Sequence, residues 1–69
     1  MNLNPRFIPQ PPRFVGAFRR FGPVGPVYEI IATGKETADG DVMMRIRVVE
    51  SGEELDYPFS SIIDDPKES

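Results

Sequence analysis

The chain has no cysteine, no histidine and no tryptophan among its 69 residues. Without cysteine there are no disulfide staples, thiolate nucleophiles or thiolate metal sites. Without histidine the commonest general base and the commonest transition-metal ligand are gone. Long apolar runs are missing too. The longest stretch without a charge, Phe21 to Tyr28, is broken by Pro23 and Pro26, and a membrane-spanning helix needs about 20 apolar residues. The first residues, Met1-Asn2-Leu3-Asn4-Pro5-Arg6, hold no apolar h-region, so no signal peptide is expected. A soluble cytoplasmic protein of one small domain is the expectation, with only about 60% of its surface buried on folding.

Charge is present but divided. The 8 bases and 11 acids give a net charge of −3. Residues 1–28 carry Arg6, Arg13, Arg19 and Arg20 and no acid, for +4. Residues 29–69 carry the other four bases and all 11 acids, for −7. Six of the eight prolines lie between Pro5 and Pro26. A Pro/Arg/Phe-rich third thus precedes an acidic remainder.

That remainder reads as β structure. Residues 27–33 (VYEIIAT) are β-branched and aromatic. Residues 42–49 alternate, with Met44, Ile46 and Val48 on one face and Arg45 and Arg47 on the other; residues 54–59 place Leu55, Tyr57 and Phe59 together. A two-residue Ser51-Gly52 turn would pair Val48 with Leu55, Ile46 with Tyr57, Met44 with Phe59 and Arg47 with Asp56. A three-residue Ala38-Asp39-Gly40 loop, Gly40 left-handed, would pair Ile30 with Val48 and Ala32 with Ile46. Pro58 lacks an N–H, which puts the last strand at an edge.

A meander with one apolar face needs a lid. Phe14, Phe18 and Phe21 recur at helical spacing, with Pro12 ahead and Gly22-Pro23 behind, so a short aromatic helix is expected over 13–21. A helical turn is expected over 60–65 with serine at its cap. The fold class is small α+β or mostly β: a three-stranded antiparallel meander with a Pro-rich N-terminal arm (1–12) and a short aromatic helix packed on one face. The domain covers 13–66, and residues 67–69 fray.

Motifs for chemistry are few. Asp39-Gly40-Asp41 fails as a calcium loop, because Lys35, Thr37 and Ile46 fall where ligands belong. It reads as a turn. Glu53-Glu54 and Asp64-Asp65 are adjacent acids that diverge on a strand, which suits solvated charge better than acid–base catalysis. The glycines match no phosphate-binding spacing, and Ser51, Ser60 and Ser61 have no histidine to activate them. No enzymatic activity, cofactor or metal is expected.

Two features point to binding. Arg6, Pro9 and Pro12 fit an RxxPxxP polyproline pattern, which is weak as a compositional signal. Arg13, Arg19 and Arg20 interleave with phenylalanines, as on nucleic-acid surfaces. Four arginines neutralise few phosphates, and the acidic remainder would repel a duplex. Ile31, Met43 and Val49 fall on the outward sheet face in these registers, which favours self-association or docking.

The stretches Phe21–Ile30 (FGPVGPVYEI), Ile46–Pro58 (IRVVESGEELDYP) and Asp64-Asp65-Pro66 cover about half the chain. In them the sequence resembles a family of small bacterial proteins of unknown function. That resemblance implies a free-standing cytoplasmic protein and transfers no site residue. The expected function is a non-enzymatic protein-interaction module, acting through a protein partner or as a homo-oligomer. The candidate contacts are Arg6, Pro9, Pro12, Arg13, Arg19, Arg20, Ile31, Met43 and Val49. The competing expectation is an antitoxin-like or nucleic-acid-associated regulator using the Arg/Phe segment.

Overall fold

The computed structural model describes residues 10–68. Four strands, β1 (Phe18–Arg20), β2 (Val27–Glu36), β3 (Val42–Val48) and β4 (Glu54–Pro58), form one antiparallel sheet in the order β1-β2-β3-β4. A 3-10 turn, Pro11–Phe14, precedes β1, and one helix, α1 (Phe59–Asp64), follows β4. The meander has a fourth strand where a helix was expected.

That fourth strand replaces the expected helix over 13–21. Gly16, at its middle, has φ of +95°, outside the helical basin. Its N–H donates to the Ile30 carbonyl at 2.8 Å, and the Ile30 N–H donates to Ala17 at 2.9 Å. The open edge of β2 thus captures a segment whose glycine weakens any helix. Phe18 then pairs with Glu29 and Arg19 with Tyr28, so the aromatic stripe splits. Phe14 and Phe21 pack on the core, whereas Phe18 lies on the opposite face and is 41% exposed.

The first hairpin turns as expected and then departs from register. Thr37 N–H donates to Asp41 at 2.8 Å around Ala38-Asp39-Gly40, and Gly40 has φ of +88°. Glu36 opposite Val42 keeps the expected alignment. Two irregularities, between Thr33 and Glu36 and between Ile30 and Ala32, then shift the pairing to Ile30↔Ile46 and Tyr28↔Val48. Each is one step, and two steps restore the face, so Tyr28 and Ile30 still point inward. At Gly34 the strands approach so closely that a Cβ would overlap the Met43 carbonyl oxygen.

The second hairpin uses a four-residue loop, Val49 to Gly52, instead of the two-residue Ser51-Gly52 turn. Val48 N–H donates to Glu53 at 2.8 Å, and Gly52 has φ of +76°. The register becomes Ile46↔Leu55, Met44↔Tyr57 and Arg45↔Asp56. Again the shift is two residues, so Leu55 and Tyr57 keep their face and Phe59 is released to begin α1. Pro58 closes edge strand β4, where its missing N–H is harmless.

The core lies under one face of the sheet: Tyr28, Ile30, Met44 and Ile46 beneath Ile62 and Phe59 of α1. Phe14 meets Phe59 edge-on at 4.9 Å, and Phe21 lies 4.5 Å from Tyr28 and 5.1 Å from Tyr57. The expected serine cap of the last helix is absent. Asp41 of the first hairpin supplies it from outside, accepting from the Ser60 N–H at 3.2 Å and the Ser60 hydroxyl at 2.6 Å. Nor do residues 67 and 68 fray. Arg20 N–H donates to Pro66, Glu68 N–H donates to Phe18, and Lys67 bridges Arg19, so the tail runs along the outer edge of β1.

One residue closes this arrangement. Asp65 Oδ2 accepts the Tyr28 hydroxyl at 2.7 Å and the Tyr57 hydroxyl at 3.0 Å. Its Oδ1 accepts the Gly22 N–H at 3.2 Å, and its carbonyl accepts Arg19 Nη1 at 2.8 Å. Burial first, and the bond to Asp65 second, push both tyrosines above their ordinary value of 10.0. The folded state therefore holds the neutral phenols. Their contribution is complete below about pH 10 and is lost above it, as the unfolded chain ionises and the folded chain does not. Tyr28 and Tyr57 are the chain's 2 tyrosines and there is no tryptophan, so tyrosinate absorbance near 295 nm reports them alone. Unfolded protein in urea should titrate with a midpoint near 10, whereas folded protein should show less tyrosinate there and a midpoint displaced upward. Coincident titration curves would refute the buried pair.

Candidate functional site

Among the described residues, no helix lies against the second face of the sheet. Its centre is an alternating chain of charges set by the strand registers. Glu29 on β2 meets Arg47 at 3.0 Å, and Arg47 meets Glu54 at 3.7 Å. Glu54 meets Arg45 at 3.5 Å, and Arg45 meets Asp56 at 3.1 Å. The Asp56 carboxylate, chiefly through its hydrogen bond, raises the Arg45 guanidinium further. Arg47 was expected opposite Asp56; the two-residue shift gives that place to Arg45. Such exposed pairs contribute little stability singly, but they fix the pattern of charge that the face presents.

Apolar residues border this chain of charges. Phe18 pairs with Glu29 at one end. Val49 donates its N–H to Val27 at 3.0 Å, which extends the β2–β3 ladder by one row. Val49 is 55% exposed, in the loop beyond β3 instead of inside the strand. Met43, half-buried, sits opposite Pro58. Ile31, also half-buried, is skipped in the pairing between Ile30 and Ala32. The registers thus put Val49 and Met43 at the margins of this surface, while Ile31 sits at the irregularity of β2.

The arginine cluster divides. Arg19 is 8% exposed, with its guanidinium 5.3 Å over the Phe14 ring and bonded to Asp65. Arg20 pairs with Glu68 at 3.0 Å and donates to the Gly25 carbonyl. Arg13 is exposed in the 3-10 turn, as is Pro12. The 3-10 geometry at Pro12 departs from the extended backbone that a polyproline ligand needs. Arg6 and Pro9 lie outside the described residues.

Two of the shallow depressions among the described residues gather side chains of contrasting charge. One, of about 630 Å³, has a floor of Phe21, Pro26, Val48 and Leu55 and a rim bearing Glu50 and Glu53. The other, of about 440 Å³, lies beside β1 and gathers Arg13, Phe14, Phe18, Arg19 and Lys67. Among the described residues no cluster of three His, Cys, Asp or Glu side chains is placed to hold a metal ion, and no helix is long and apolar enough to cross a membrane.

Three contributors escaped the sequence reading. Lys67 reaches the second depression only because the tail pairs with β1. Asp41 holds α1, and the Ser60 hydroxyl keeps its carboxyl below the usual range. Asp65 had one readable signal: an acid at a helix C-terminus opposes the helix dipole, and such a local mismatch implies another role.

The profile of a family of unknown function (DUF5397) matches residues 5–69. An uncharacterized protein of Haemophilus influenzae is 33% identical over 52 residues, which is 75% of this chain and 82% of that protein. The match takes in every strand, the helix, the tail and Asp65, and the chain belongs to this family of unknown function, DUF5397.

Proposed function

We propose that the protein is a non-enzymatic interaction module that associates, with a second copy or a protein partner, through the uncovered face of its sheet. The observation that carries this reading is the one-sided cover: among the described residues, the packing aromatics and α1 lie against one face. The other presents exposed Phe18 and Val49 around the Glu29–Arg47–Glu54–Arg45–Asp56 chain. Apolar margins supply the hydrophobic contribution, and a fixed alternation of charge supplies register. The β1 edge is already occupied by the tail, which favours face contact over strand addition there. A cysteine-free composition suits a reducing compartment, so the cytoplasm belongs to the same proposal.

The nucleic-acid reading has less support. It draws on Arg13, Arg19 and Arg20, and of these Arg19 is buried and Arg20 is ion-paired. Few cations remain for phosphates.

Sedimentation velocity across a concentration series tests the proposal. Wild-type protein should associate as concentration rises towards about 1 mM or retain a protein partner from native lysate. Val49→Asp together with Ile31→Asp should weaken that association by at least about tenfold and leave the melting temperature within a few degrees, because neither residue belongs to the buried core. A wild-type chain that stays monomeric and captures nothing, or a double variant that associates unchanged, would contradict it.

A further inference from the structure

The 440 Å³ depression beside β1 has a chemistry of its own and shares only Phe18 with the residues named on the uncovered face. Arg20, Arg45 and Arg47 are each neutralised by an acid. Among the described residues, no acid lies within ion-pair distance of Arg13, Arg19 or Lys67, and these three line the depression together. Their convergence is built by the fold. Arg19 and Lys67 are opposed across the tail bridge, and the 3-10 turn brings Arg13 over them. Arg19 is held in place by the Asp65 carbonyl and the Phe14 ring, so binding would cost it little further side-chain entropy. Glu68, on the rim, is already occupied by Arg20.

We propose that this depression binds an acidic–apolar peptide segment of a partner protein. Its carboxylates would lie on exposed Arg13 and Lys67, with the buried Arg19 guanidinium adding positive charge behind them, and an apolar side chain would rest against Phe14 and Phe18. Carboxylate on guanidinium is a charge-assisted, often bidentate bond. A peptide needs only two or three carboxylates and one apolar group, which matches three cations beside two aromatic rings. A nucleic-acid strand is a continuous polyanion. It would meet only three cations here and would run on into a molecule whose net charge is −3, so its binding would be weak and salt-sensitive.

The test titrates full-length, isotope-labelled protein with a synthetic Glu-Leu-Glu-Leu-Glu-Glu peptide, at about 50 mM salt where charge contacts are little screened. Amide signals of residues 13–19 and 67 should shift, and those around Val49 should not. Arg13→Ala with Lys67→Ala should weaken binding by at least about tenfold. Lys35→Glu changes the net charge by the same two units on the first hairpin, far from the depression, and should change affinity less than about twofold. Both sets of side chains are exposed, so the variants should fold, as their amide spectra will show. No peptide binding, or equal weakening by Lys35→Glu, would overturn the site. Tighter binding of a thymidine dodecamer than of the peptide would overturn the choice of ligand.

Discussion

A single carboxylate, on Asp65, carries the constraint on which the rest of this small fold depends. It takes two phenols and a backbone N–H, while its carbonyl takes an arginine. Those partners come from β1, the β1–β2 connection, β2 and β4, so four parts of the chain meet at the end of α1. A domain of this size buries too little apolar surface to tolerate loose ends. A hydrogen-bonded charge can specify one arrangement where hydrophobic area alone would permit several. Tyr28 is large and fully buried; its hydroxyl would be costly there without a partner.

Other features follow from that closure. Asp65 must leave the helix to reach both tyrosines, and the extended backbone there (φ −78°, ψ 145°) is the one that Pro66 imposes on its predecessor. The chain then continues along β1, protecting an edge that would otherwise be open. The same path carries Lys67 to Arg19 and completes the cationic depression. At the opposite edge Glu54 and Asp56 place charge on β4. Arg13, Arg19 and Arg20 thus gather at the β1 edge and Glu54 and Asp56 at the β4 edge, the acids partly cancelled where Arg45 and Arg47 reach them.

Faces were legible in the sequence and registers were not. Alternation placed Met44, Ile46, Leu55 and Tyr57 correctly because a shift of two residues leaves every face unchanged. Gly40 declared its turn, since a three-residue loop needs one left-handed position. The β2 irregularities at Ile31 and near Gly34 left no comparable mark, and the second loop length depended on packing of Phe59 into the core. Phe14, Phe18 and Phe21 fit a helical stripe by spacing alone, and three positions cannot outvote a neighbouring strand edge. The candidate surfaces were only half visible. Arg13 and Val49 are presented outward, whereas Arg19 is structural, and Lys67 depended on long-range pairing. Such contacts belong to tertiary structure, which local propensity does not encode.

Membership of a family of unknown function leaves the physical account to be tested on its own terms. The most direct measurement is urea unfolding of Asp65→Ala beside Asp64→Ala, neighbouring acids of which only the first is engaged by the tyrosines. The account predicts that Asp65→Ala loses at least about 3 kcal/mol, since buried donors are left unpaired, and that Asp64→Ala stays within about 0.5 kcal/mol of wild type. Equal losses at the two positions would contradict it.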